Sequence, residues 1–559
     1  MTRNLAKDFI ISFVINLAIA FIAIFVFGSK LFMNDDSSLA YMFFGIMGKA
    51  SERACFINPV LGTVYKELHR ICPAFNWMTF SYYFWIIVSG TMAFYSILKR
   101  NKKTLIILWL LFELVFFHDI YVYLTYSAVT AFVAGQSFLS IFVSMDDERK
   151  SIWLYIINGI CLLFSSMLRF DGFLGIAAFA FVIWVLFVLS DLKKLSMKDL
   201  LKKYVFPFAV IIGICFVFLL VDKACYTKGE WKAYIDYESE RRVVSDYRNS
   251  VKIERYKPLR ELGVSKNQAL AVLNFRNNDP EILDTELVKK IADTTKLYNG
   301  LLKKYVWKDF IRQWKIVFTK YMEIYFSLLE IVFLMVYLSG KRARIWMPLV
   351  LLSPMLLELF YFAYIGRLDN GEYPERCIYI VLMGIAVEVM ALMSKLDNND
   401  ATNNKRAAVI LGLLCISSII VQPTKNFSVD GLGLVDTNVI EERYDYLRDG
   451  NVYVVHYSFM QDFMSEFGAW QNPSTGFLDH CVEIGGYFIN HPMQNELQIS
   501  LGCVNPYRAL FEKENVFYLT EHTTQDSVLE YLKENYDDRI KCDLVDEKEE
   551  VKIYKFGID

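Results

Sequence analysis

The chain has 559 residues, of which 55% are hydrophobic and only 21% charged. Basic and acidic residues nearly cancel, 59 against 61. That balance excludes a disordered chain, a collagen-like chain and a basic nucleic-acid binder, and it points to a polytopic membrane protein with polar parts attached.

A bilayer core of about 30 Å needs roughly 20 mostly apolar helical residues. Such runs occur near 8–33, 77–98, 104–118, 121–145, 152–168, 171–190, 204–222, 316–339, 346–365, 375–394 and 407–421, which predicts eleven spans. The first run, Phe9 to Phe27, is too long and too poor in polar residues at its end for a cleaved signal, so it reads as a retained span. Basic residues in short loops set orientation. They cluster at Arg3 and Lys7, at Lys99 to Lys103, at Lys193 to Lys203, and at Lys341 to Arg344. With eleven spans every cluster falls on one side, which places the N-terminus in the cytoplasm and the C-terminus outside.

The predicted organisation is a membrane core over 1–221 with a first outer loop at 34–75, an outer helical insertion at 222–314, further membrane helices over 315–421, and an outer α/β domain at 422–559. In the last part Asn451–His456, Asn515–Leu519, Arg539–Val545 and Val551–Phe556 alternate like strands, and Gln525–Tyr536 is helix-patterned. Cys55 and Cys72 share the first outer loop, where a disulfide between them is a candidate. No histidine spacing matches a zinc site.

Ionisable groups at one membrane boundary carry the functional signal. Asn34-Asp35-Asp36-Ser37-Ser38 follows the first span, and the apolar stretch Leu39–Met47 after it reads as a helix lying in the interface. One of those polar residues could simply cap that helix, but a cap needs only one. His118-Asp119, Arg169-Phe170-Asp171, and the cluster Arg367, Glu372, Glu375 and Arg376 fall at the other outer junctions. An arginine there is suited to phosphate by its planar fork, or it snorkels from a helix end. Within the spans stand Glu113, Glu323, Glu330 and Glu358.

This arrangement resembles the GT-C class of polytopic membrane glycosyltransferases, which use polyprenyl-phosphate-linked sugars. The resemblance rests on Lys30 to Asp36 and on the helices expected after it at Leu39–Met47 and Val60–Arg70, with Asn34–Ser38, Tyr126–Ala134, Leu168–Phe173 and Arg367–Arg376 as the stretches that suggest a Gram-positive branch, and it covers residues 1–395. Protein mannosyltransferases and aminoarabinose-type lipid transferases have a comparable first loop, and the chain is also similar to multi-span proteins of low-GC Gram-positive bacteria placed in this class. The resemblance implies a GT-C-like helical core and sugar transfer on the outer face of a bacterial cell membrane. The donor would be a lipid-linked sugar, and the acceptor a cell-envelope glycan, lipid or protein. Asp35 or Asp36 would be the base, Arg169, Arg367 and Arg376 would hold the donor phosphate, and His118, Asp119, Asp171 and Glu358 would support them. Some relatives hold a divalent metal with first-loop and second-loop acids. Asp36, His118 and Asp119 are the corresponding residues, a thin ligand set that commits the chain to no cofactor.

Two other readings compete. A polysaccharide polymerase or ligase would work through Arg241, Arg242 or Arg255 in the outer insertion. A transporter or flippase would use Glu113, Glu330 and Glu358, although no internal repeat supports it.

Overall fold

A computed structural model of the protein describes residues 5–31, 35–145, 147, 151–246, 256–301, 353–358, 360–361, 375–395, 431–486, 488–521, 524–548 and 551–558, with the backbone alone at 256, 295–301 and 375–378. In chain order the first helices are α1 (Leu5–Ile22), α2 (Asp35–Phe44), α3 (Pro59–Ile71), α4 (Trp77–Arg100), α5 (Lys103–Phe117), α6 (Tyr126–Ser144), α7 (Ile152–Leu168) and α8 (Phe170–Asp191). Among the described residues six helical stretches are long and apolar enough to cross a membrane: Leu5–Phe27, Trp77–Arg100, Lys103–Val122, Tyr126–Ser144, Phe170–Asp191 and Met197–Cys225. α7 is apolar but shorter, and Glu375–Lys395 adds a 21-residue helix. Of the expected runs, 316–339 and 407–421 lie outside the described residues, as does most of 346–365, so the described helices fall short of eleven spans.

α6 is the axis of the bundle. Every one of its residues is buried, among α4, α7, α8 and Glu375–Lys395. Its small hydroxyl residues explain why neighbours approach so closely. Ser96 and Ser140 share a hydrogen bond of 3.0 Å, Asn158 donates to Ser140 at 3.0 Å, and Ser165 donates to the Thr130 carbonyl at 3.0 Å. These bonds keep side-chain polar groups satisfied where lipid could not. By contrast α1 and Met197–Cys225 leave Ile10, Phe21, Ile212 and Phe216 exposed, as a lipid-facing surface requires.

Two of the basic clusters, Lys99–Lys103 and Lys193–Lys203, meet at one end of this bundle, and Lys341–Arg344 lies outside the described residues. Lys99 pairs with Asp147 at 2.6 Å, Lys102 donates to the Ser394 carbonyl at 2.6 Å, and Lys203 pairs with Asp191 at 2.8 Å. The opposite end carries the polar mass. There β1 (Lys30–Leu31) and β2 (Tyr123–Leu124) form a short parallel ladder, tying the exit of α1 to the entry of α6.

A five-stranded sheet lies beyond that end, in the order β4-β3-β5-β7-β6, with β3 (Val452–Val455), β4 (Cys481–Glu483), β5 (Val516–Thr520), β6 (Ile540–Lys548) and β7 (Val551–Ile558). Four strands fall where the alternation indicates, and β4 is additional. β3, β4 and β5 are parallel and β7 and β6 antiparallel. Alternation along β3 sorts its side chains to two faces. Val452 and Val454 join Val244, Val272 and Ile291 of the insertion in one core, while Tyr453 and Val455 join the core that continues into the membrane helices. The segments expected as separate outer units at 222–314 and 422–559 therefore share a core.

Two sequence expectations are corrected here. α2 is not exposed to lipid headgroups, because all ten of its residues are buried within the protein. The C-terminal part covers it: Tyr41 packs edge-on against Phe488 at 5.9 Å, and the amides of Gly476 and Leu478 donate to the carbonyls of Gly45 and Ile46 at 2.8 and 2.9 Å. Nor are Cys55 and Cys72 bonded, since both are free thiols. Cys55 precedes the 13-residue helix α3 and Cys72 caps its far end.

Candidate functional site

The site begins with two helix N-termini that face each other. α6 starts at Tyr126 after the cap Thr125, whose side chain accepts from the Ala128 amide at 3.0 Å. The Tyr126 amide, unsatisfied by its own helix, donates to Asp36 Oδ1 at 2.8 Å. The same oxygen accepts from the Tyr82 hydroxyl at 2.9 Å. A carboxylate in that position is favoured by the positive end of the α6 dipole. Asp36, 1% exposed, is thus tied to both α4 and α6.

Asp35 is also buried, and its Oδ2 accepts from the Tyr126 hydroxyl at 2.9 Å. Arg169 completes the group. It is the one extended residue between α7 and α8. That break in the helices aims its guanidinium at the Tyr126 ring, 4.7 Å from the centroid, and it donates to the Ser127 hydroxyl. Tyr126 therefore binds Asp36 through its amide, Asp35 through its hydroxyl and Arg169 through its ring. A charge-assisted hydrogen bond is worth about 1.5–3 kcal/mol, so the cluster is held firmly.

The other expected residues are placed as follows. His118 Nδ1 lies 3.5 Å from Asp119 Oδ1, in the turn before β2, and its ring packs 4.7 Å from that of Tyr123. Asp171 is exposed on the first turn of α8. Glu358 has a buried carboxylate with no hydrogen-bond partner among the described residues, and a side chain at Gly175 would collide with Ile380 and meet Glu358. Arg367 lies outside the described residues. Arg376 is described by its backbone only, one turn before Ile380, which packs at Gly172 beside Arg169. Among the described residues no three His, Cys, Asp or Glu side chains form a group that could hold a metal, and Asp36, His118 and Asp119 do not make one.

Of the residues of the competing readings, Arg241, Arg242 and Glu113 are otherwise engaged. Arg241 is fully buried, with Glu238 at 2.7 Å and Asp246 at 3.0 Å, which is a structural ion-pair network. Arg242 bonds Glu238 at 3.0 Å and stacks on Phe56. Glu113 accepts from the Tyr121 hydroxyl at 2.8 Å, while Arg255 and Glu330 lie outside the described residues.

A cavity of about 620 Å³ opens near this cluster, between Ser29, Ser37 and Tyr123 on one side and Tyr457, Gln461 and Phe467 on the other, with Asp35, Asp36, Tyr126 and Arg169 themselves outside its lining. Ser37 adjoins Asp36 in α2. The second wall comes from the C-terminal part, which sequence reasoning had kept apart from the first loop. Tyr82 and Tyr126 also escaped notice as site residues, because nothing separates them in sequence from the other tyrosines of the spans.

No known family profile matches the chain, and no curated protein matches it. Among solved structures it is similar to an oligosaccharyltransferase of Archaeoglobus fulgidus, determined in complex with zinc and sulfate. The identity is 11% and the TM-score 0.41, over 93% of this chain and 69% of that one. A likeness at that level decides nothing about function.

Proposed function

We propose that the protein is a multi-pass membrane glycosyltransferase that moves a sugar from a polyprenyl-phosphate donor to an acceptor hydroxyl. The observation that carries this reading is the gathering of Asp35, Asp36 and Arg169 around Tyr126, beside a cavity at the polar end of the helix bundle. A carboxylate and a guanidinium gathered at one tyrosine supply the two groups that displacement at an anomeric carbon needs, a base and a cation. The acceptor oxygen forms the new bond to that carbon as its proton passes to a carboxylate. The bond to the donor phosphate breaks, and the electron pair leaves on the phosphate oxygen, where an arginine stabilises the developing charge. Single displacement inverts the sugar.

Asp36 Oδ1, held by a backbone amide and a hydroxyl, suits a positioning role. Asp35 meets a tyrosine hydroxyl that can rotate away, and it is assigned the proton. Arg169 is assigned the phosphate, with Arg367 and Arg376 as further candidates. No step is routed through a metal. The basic clusters at the opposite end favour a site on the outer face, with the N-terminus cytoplasmic and the C-terminus outside.

The test compares envelope glycans, by mass spectrometry, in cells lacking the protein and complemented with wild type, Asp35→Asn, or the double variant Asp35→Asn/Asp36→Asn. Wild type should restore a glycan that neither variant restores at equal membrane abundance. Full restoration by the double variant would falsify the assignment.

A further inference from the structure

Asn76 caps α4 where the membrane bundle meets the C-terminal part, and all but one of its polar atoms are committed. Its amide donates to the Trp470 carbonyl at 3.0 Å, and its carbonyl accepts from the Phe80 amide at 3.2 Å. Its Oδ1 accepts from the amides of Met78 and Thr79, both at 3.1 Å. Those two donors fix the side-chain amide, because the flipped group would set its own N–H bonds against them. Nδ2 is thereby turned off the helix.

Among the described residues two other asparagines cap helices through Oδ1, and both hand Nδ2 to the protein. Asn58 donates to the Phe218 carbonyl at 2.8 Å, and Asn505 donates to Asp279 at 3.0 Å and to the Tyr536 hydroxyl at 2.9 Å. Asn76 Nδ2 has no acceptor among the described residues. It is not sealed in, however. Asn76 is 1% exposed and lines the cavity of about 620 Å³, and Nδ2 is absent from the polar atoms that are both buried and without a partner, so it keeps surface to the cavity. A nearly buried donor of this kind calls for an acceptor from outside the chain.

The rest of the lining says which kind. It contains one residue of each sign, Lys30 and Glu466, and Glu466 is committed to Arg443 at 2.5 Å and to the Tyr444 hydroxyl. No excess of positive charge awaits a phosphate. Tyr123 presents an exposed ring, and amide and hydroxyl side chains make up much of the polar wall. An aromatic face suits the C–H side of a sugar, while amides suit its hydroxyls. The volume falls in the range that takes a ligand larger than one sugar ring.

We propose that this cavity seats a neutral glycan, the acceptor of the transfer, with a sugar oxygen accepting from Asn76 Nδ2 and a ring resting on Tyr123. The role as acceptor rests on the transferase reading, whereas the binding of a neutral glycan does not.

Saturation-transfer NMR of the full-length protein, in a detergent without a sugar headgroup, tests it. The probes are cellobiose, chitobiose and a serine-containing hexapeptide, with inorganic phosphate as competitor. At least one disaccharide should bind with saturation, the peptide should not, and phosphate should displace nothing. Asn76→Asp keeps the cap, since a carboxylate accepts from the same two amides, but it sets an acceptor where Nδ2 donated. Its melting point should hold while disaccharide binding weakens about tenfold. Tyr123→Leu, on a different element, removes only the aromatic face and should weaken binding about fivefold; it decides the matter if Asn76→Asp melts lower. The proposal is overturned if neither disaccharide binds, if the peptide binds as well, if phosphate displaces the disaccharide, or if a variant that melts like wild type also binds like it. Asp35→Asn should retain disaccharide binding. Binding that persists while Asp35→Asn/Asp36→Asn still restores the glycan would strike the transferase reading and keep the glycan site. Absent binding, with those variants inactive, would strike the glycan site alone.

Discussion

Tyr126 presents three different chemical groups to three charged residues, and they can be removed one at a time. Phenylalanine at 126 deletes only the hydroxyl that bonds Asp35 at 2.9 Å, and it keeps the amide on Asp36 and the ring under Arg169. Leaving a buried carboxylate short of one donor costs about 1–3 kcal/mol. Tyr126→Phe should therefore melt measurably lower in detergent yet remain folded. In the envelope assay it should restore less glycan than wild type, because Asp35 is no longer held in place. Arg169→Lys asks a different question. It keeps the charge but loses the planar fork and the stack on Tyr126. Restoration should fall at least tenfold while the melting point changes little. If lysine serves as well as arginine, point charge alone suffices, and the planar recognition of phosphate assigned to Arg169 is wrong.

At the scale of elements, α2 is clamped between the membrane bundle and the sheet, and one hydrogen bond marks the clamp. The Tyr41 hydroxyl donates to Glu483 Oε1 at 2.9 Å. Burial pushes the Glu483 carboxyl up to about 8, against which the Tyr41 bond is the smaller, opposing effect. Because the folded state holds this proton more tightly than the unfolded chain does, the folded state binds more protons between about 4.5 and 8. Stability from this group is then fully present below that window and is lost as pH rises through it. Glutamine at 483 cannot ionise. The melting point of wild type should drop between pH 6 and pH 9 by more than that of Glu483→Gln, and parallel curves would remove Glu483 as the cause. The same clamp shows what the sequence could and could not reveal. Apolar runs, strand alternation, the pair Asp35-Asp36 and the boundary residue Arg169 are local patterns, and they located eight of the described helices, four strands and three members of the cluster. Coverage of Leu39–Met47 depends on residues more than 400 positions later, so its apolar character reads equally well as membrane contact. Glu483 sits in a short strand, and no periodicity marks its partner.

For the whole molecule, the polar ends of α6 organise the division of labour. Its 19 residues separate Tyr126 from Ser144 by about 28 Å, with the aspartates and Arg169 at one end and the lysine–aspartate pairs at the other. The C-terminal part is built into the first of these ends. Tyr41 meets Phe488 and Glu483, Gly48 packs against Met493 and Leu497, and His491 Nε2 bonds the Arg53 carbonyl at 2.9 Å. Gly45, at φ +63°, turns the chain into this contact, and a side chain there would come 2.8 Å from the Ala50 amide. A chain ending at residue 430 would leave α2 without its cover, and each large apolar side chain exposed costs about 1.5–3 kcal/mol. Such a truncation should aggregate in size-exclusion chromatography in detergent, whereas supplying 431–559 as a separate chain should recover a monodisperse complex. A protein whose membrane helices merely anchor a binding domain would behave otherwise. Its truncated membrane part would elute as a single species and melt like the full chain. That outcome would detach the second wall of the cavity from the first.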